Sequence, residues 1–134
     1  MKHYNINKNS EQGLGSFSDD RGVITDLFYS KNMNHGCIIT NTPSAIRGNH
    51  YHKFTTQYTL VLHGSLTYYS KQANLDEPVD IYEAKEGDMI ISLPYEIHAM
   101  KAGSEGCTFL AFAEGPRGGK DYETDTYRVE SIIT

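Results

Sequence analysis

The stretch Ile46-Arg47-Gly48-Asn49-His50-Tyr51-His52-Lys53, with Gln57 and Gly64 downstream, decides how the chain reads. His50 and His52 are two apart in a β-prone run. Successive side chains of a strand alternate between faces, so both imidazoles point the same way and Tyr51 points the other. Further along, Gly87, Pro94 and His98 bring in a third histidine just after the apolar run Asp88 to Ser92. The two blocks read G-x-H-x-H-x4-Q-x6-G over 48–64 and G-x6-P-x3-H over 87–98. Three imidazoles and the amide oxygen of Gln57 projecting into one barrel would hold a divalent ion. The expected ligand set is therefore His50, His52, Gln57 and His98, with Zn, Fe, Ni or Mn as the metal and open positions for water or substrate. Gln57 in place of a carboxylate leaves such a site more positive. The competing reading makes His50 and His52 ordinary polar residues lining a barrel. His3, His35 and His63 have no partner spacing and are expected at the terminus and in turns or on the surface.

Around these blocks the chain reads as all-β. No window shows a sustained apolar repeat at i, i+3, i+4 and i+7, whereas short β-rich runs alternate with turn signals. Strands are predicted over 23–29, 36–41, 46–52, 57–63, 65–70, 79–84, 88–92, 97–101 and 108–114. Turns are predicted at Asp19 to Gly22, Thr42 to Ser44, His63-Gly64, Asn74 to Pro78, Lys85 to Gly87 and Gly103 to Gly106. That spacing suits a small barrel or sandwich. No linker, repeat or low-complexity tract divides the 134 residues, so a single domain over 1–134 is expected. The polar segment Gly115 to Tyr127 reads as a solvated loop. Its Arg117-Gly118-Gly119-Lys120 core could otherwise face an anion.

Composition narrows the function classes. A formal net charge of −5 argues against general nucleic-acid binding, which needs a basic face. No apolar run approaches the roughly eighteen residues of a membrane span, and MKHYNINKNSEQ carries no apolar signal core. A cytoplasmic protein is expected, with Cys37 and Cys107 reduced and buried. The acidic residues are scattered along a solvated rim with no paired-carboxylate site.

The two blocks resemble the paired motifs of the cupin superfamily, in which small β-barrels are built on a jelly roll. Gln57 stands where that family usually has glutamate, and Pro94 lies one place late. The string Arg47-Gly48-x-His50-x-His52-Lys53, followed by Gln57, is similar to one cupin branch in particular. That branch holds the dTDP-4-dehydrorhamnose 3,5-epimerases and the dTDP-4-keto-6-deoxyglucose 3,4-ketoisomerases. Asp19-Asp20-Arg21-Gly22 resembles the branch's D-x-R-G entry, and Asp121 to Val129 its closing segment in capsule biosynthesis domains.

The resemblance implies an all-β, single-domain cupin jelly roll, expected as a homodimer because exposed sheet edges in small barrels are commonly paired off. It implies isomerisation or epimerisation of a nucleotide-linked 4-keto-6-deoxy sugar for surface polysaccharides. His50 would be the base and His52 the partner that shuttles a proton or steadies the enolate. Arg47, Lys53 and Tyr58 are the expected substrate contacts, with Arg47 on the pyrophosphate. Arg47 and Lys53 read equally well as exposed salt-bridge partners. The acid is left open among Tyr58, Tyr68, Tyr69 and Tyr95. A histidine that binds a metal cannot be a general base through the same nitrogen. Two competitors therefore stand beside the isomerase: a metal-dependent, dioxygenase-like cupin acting on a small organic substrate, and a non-catalytic sugar- or metabolite-binding cupin.

Overall fold

A computed structural model describes residues 1–8, 16–116 and 123–134. Among these residues ten strands follow in order: β1 (Lys2–Asn5), β2 (Ser16–Asp19), β3 (Gly22–Thr25), β4 (His35–Asn41), β5 (Ile46–Tyr51), β6 (Thr56–Gln72), β7 (Asp80–Lys85), β8 (Asp88–Ser92), β9 (Glu96–Glu114) and β10 (Tyr127–Arg128). All pairings are antiparallel. Among the described residues, no helix is long and apolar enough to cross a membrane.

The architecture turns on β6 and β9, which pair along most of their length. The first half of β6 and the second half of β9 form one sheet, in the order β1-β8-β6-β9-β4. The second half of β6 and the first half of β9 form the facing sheet, in the order β7-β6-β9-β5-β10. Two sheets sharing two bent strands make a cupin jelly roll.

Both bends lie at glycines. The β6–β9 register slips between Val61 and His63 and again between Gly64 and Leu66. Gly64 (φ +78°) packs against the Gly106 backbone, and Gly106 (φ +79°) against Asn41. A β-carbon at either place would meet main-chain atoms, so only glycine lets the strands fold over without separating. This corrects the expected turns at His63-Gly64 and Gly103 to Gly106, where the ladder continues through bulges. A further difference is β1, where His3 pairs opposite Ile90 and stacks on Tyr82 (centroids 3.6 Å apart).

One core lies between the sheets, built on Val61, Leu66, Tyr68, Ile90, Met100 and Phe109. Tyr58, Leu60, Met89 and Ile91 face the other way, where Leu27, Phe28 and Met33 cover them. This covering segment, rather than strand, is what the structure forms beyond Thr25, where a strand was expected to reach Tyr29. The start of β6 is thus buried on both faces from Gln57 to Val61. β2 and β3 form a separate hairpin on which Phe17, Val23 and Ile24 are exposed. Cys107 is buried in the core as expected, whereas Cys37, also expected to be buried, lies half-buried on β4.

Candidate functional site

The site is built where β5 crosses β9. Ile46, Arg47 and Gly48 pair with Lys101, Met100 and Ala99, and then the register shifts so that His50 sits opposite His98. The extra residue is Asn49, at φ +58°, beside Gly48 at φ +91°. This bulge decides which side chains face inward. Strict alternation puts Arg47 and His50, three apart, on opposite faces. One inserted residue resets the parity, and both line the same cavity between the sheets.

That cavity, of about 330 Å³, is walled by Arg47, Gly48, His50, Gln57, His98 and Arg128 together with Ile39, Ile46, Met100 and Phe109. No carboxylate lines it among the described residues. The His50 and His98 rings meet edge to face with centroids 4.7 Å apart, and His52 lies 5.0 Å from His50 and 5.3 Å from His98. All three are buried, and one ring nitrogen from each lies within 4.8 Å of the others. His52 stands behind the other two and does not line the cavity.

Local hydrogen bonds fix two of the rings. His52 Nδ1 donates to the Asp125 carbonyl oxygen at 2.7 Å, and His98 Nδ1 donates to the Glu96 carbonyl oxygen at 3.2 Å. A carbonyl only accepts, so in each neutral ring Nε2 holds the lone pair. Tyr68, fully buried, lies parallel to His98 at 6.2 Å and bonds the Ser92 hydroxyl. Gln57 projects into the cavity from β6, and its Oε1 is buried without a hydrogen-bond partner among the described residues.

The cations differ in their engagement. Arg47 donates through Nε to Asn41 Oδ1 (2.6 Å) and through Nη2 to the Thr40 carbonyl (3.2 Å). Arg128 forks onto Glu123 at 2.7 and 2.8 Å at the cavity rim. Lys53, expected beside the substrate, instead lies 4.2 Å above the Tyr127 ring, in a row with Tyr51 and Tyr95 outside the cavity. Tyr58, also expected there, lies on the opposite face of β6 from Gln57. Its hydroxyl donates to Glu114 at 2.6 Å and its ring meets Phe28 edge-on. Burial, then Glu114, pushes its phenol well above the usual tyrosine range. Tyr69 and Tyr95 line no part of the cavity either.

The C-terminal segment was expected to be a solvated loop, and its described part is not. Asp125 is buried, Tyr127 and Arg128 pair with Tyr51 and His50, and Ile132 N–H bonds Asn49 Oδ1. This strap supplies Arg128 to the cavity wall. Arg117 and Lys120 lie outside the described residues.

The model of the polysaccharide biosynthesis C-terminal domain family matches residues 17–114. The chain belongs to that family. No curated protein matches it by sequence. Among solved structures, this family member is similar in fold to the QdtA 3,4-ketoisomerase from Thermoanaerobacterium thermosaccharolyticum, solved with TDP. Identity is 24%, coverage is 87% of this chain and 83% of that one, and the TM-score is 0.68. It is similar to the capsular polysaccharide assembling protein CapF from Staphylococcus aureus at 20% identity and TM-score 0.65, over 88% of this chain but only 33% of CapF. It is also similar to a dTDP-4-dehydrorhamnose 3,5-epimerase from Elizabethkingia anophelis at 15% identity and TM-score 0.67, over 81% of this chain and 69% of that one.

Proposed function

We propose that the protein isomerises or epimerises a nucleotide-linked 4-keto-6-deoxy sugar, by removing a proton from a carbon beside the carbonyl. One observation carries this reading: His50 and His98 face a cavity whose only charged walls, among the described residues, are Arg47 and Arg128. Carbon acids beside a ketone need a neutral base and a cationic or hydrogen-bonding environment for the enolate. His50 is the base. His98, held as the Nδ1–H tautomer, offers Nε2 beside it, and His52 supports both rings from behind. The two guanidiniums suit a diphosphate, on which they can fork. The ketoisomerase and epimerase neighbours support the substrate class.

The test is incubation with dTDP-4-keto-6-deoxyglucose in D2O. Deuterium at C3 or C5, or at C4 of a 3-keto product, supports the reading. No incorporation from this or several other nucleotide 4-keto sugars overturns it.

A second reading has its own observation. Three buried imidazoles with ring nitrogens within 4.8 Å of one another, and the unpartnered Gln57 Oε1, fit a divalent ion. His50, His52 and His98 would hold it, with Gln57 at hand. Such an ion would supply Lewis-acid polarisation of a carbonyl or an activated water. His50 would then be a ligand and not the base. Elemental analysis separates the readings: about one ion per chain, lost in His98→Asn, supports the metal site, and a metal-free active protein rejects it.

A further inference from the structure

The strap carries a buried carboxylate that no step of the proposed reaction uses. Asp125 is 1% exposed. Its Oδ1 accepts the Lys53 N–H at 2.8 Å, and its Oδ2 accepts the N–H groups of Phe54 and Thr55, each at 3.0 Å. The Thr55 hydroxyl donates to Oδ2 as well, at 2.9 Å. These donors make up the turn that leaves His52 and enters β6. The carbonyl of the same residue receives His52 Nδ1–H at 2.7 Å. One residue, about seventy positions away in sequence, thus holds both a ring of the histidine cluster and the backbone beside that ring.

The chemistry of this contact is directional. Neutral imidazole has one N–H and one lone pair, and which nitrogen has which is set by the partner of the other. A carbonyl at Nδ1 forces the proton there. Without it, the two tautomers compete, and rings protonated on Nε2 would turn an N–H where a lone pair is needed. Asp125 lies beyond the 17–114 span that matches the family, so the strap adds to the site what the matched segment lacks.

We propose that Asp125 is a positioning residue: it locks His52 as the Nδ1–H tautomer and so keeps the Nε2 lone pair available to the cluster. This rests on reading the three histidines as the functional site. The carboxylate does the anchoring and the carbonyl does the selecting. Removal of the side chain therefore acts on His52 at one remove, through the position of the main chain.

The experiment is a two-bond ¹H–¹⁵N spectrum of the imidazoles in the metal-free full chain, at a pH where they are neutral. In the wild type, His52 should show protonated Nδ1 and unprotonated Nε2. In Asp125→Asn, which places an NH2 group among N–H donors, His52 should become a mixture of both tautomers, while His98 keeps its own. A wild-type His52 protonated on Nε2 overturns the proposal. So does an Asp125→Asn protein whose His52 stays wholly in the Nδ1–H form. If Asp125→Asn does not fold, Thr55→Val decides. It removes one donor to Oδ2, and it must show the same drift toward a mixture, or the proposal fails. None of these readouts needs a substrate, so they stand or fall separately from the sugar chemistry.

Discussion

Gly48 and the carbonyl of His98 approach so closely across β5 and β9 that a β-carbon on Gly48 would lie 2.6 Å from the His98 oxygen. The contact sits at the bulge that turns Arg47 and His50 to the same side. Gly48→Ala meets two penalties: a side chain at φ +91°, and a clash with main chain that cannot step aside. Together these should destabilise by about 2–4 kcal/mol. The midpoint of denaturant unfolding checks this. Turnover of the folded fraction should also fall, because β5 must move away from His98.

The rim pair Arg128–Glu123 gives a prediction with opposite signs. Arg47→Ala and Arg128→Ala should each weaken TDP binding by about ten- to a hundredfold, the value of a charge-assisted hydrogen bond. Glu123→Gln should tighten it by about two- to fivefold, because Arg128 is released from a competing carboxylate that is worth little at the surface. Titration calorimetry at fixed salt reads all three. Equal affinities would remove the arginines from the anion site.

Tyr58 is a candidate that the structure places away from the cavity. Tyr58→Phe should leave turnover within about twofold while destabilising the fold by about 1 kcal/mol through the lost bond to Glu114. Its pH signature has a definite sign. Burial and Glu114 raise the folded phenol above its ordinary value of 10.0. The neutral form is therefore favoured by folding, and this contribution is intact below pH 10 and lost as pH rises toward the folded value. Tyr68 and Tyr82 are shifted the same way, Tyr68 chiefly by burial. Stability should fall on the alkaline side, and less steeply in Tyr58→Phe.

Burial pushes the Cys107 thiol up to about 11. At pH 8 only about one thiol in a thousand is then thiolate, and the thiolate is the reacting form. Alkylation of native Cys107 should be slow and should accelerate about tenfold per pH unit up to that value. Fast labelling at pH 8 would mean that the core at Gly64 and Gly106 opens readily.

Much of the site was legible because its signals are local. His50 and His52 share a face through the strand period alone, and Gly87 to His98 supplies the third ring at a fixed distance. Arg47 was a candidate from its motif, but simple alternation would have turned it outward. Only the glycine and asparagine at 48–49, both at positive φ, hint at the bulge that turns it in. β6 and β9 were broken into pieces because Gly64, Gly103 and Gly106 look alike whether a chain reverses or merely bends. Asp125 stood out only as part of the closing segment 121–129, and its partners left no trace, since its donors lie at Lys53 to Thr55 and no periodic pattern connects such distant positions. β1 was missed for a related reason: four residues become a strand only because β8 offers them an edge.

The central claim is that His50 takes a proton from the carbon beside a sugar carbonyl. The most direct measurement compares solvent deuterium entering dTDP-4-keto-6-deoxyglucose in the wild type and in His50→Asn, with TDP binding measured on both. The account predicts incorporation by the wild type and a loss of about a hundred- to ten-thousandfold in His50→Asn, with TDP still bound. Exchange at the wild-type rate in His50→Asn would contradict it.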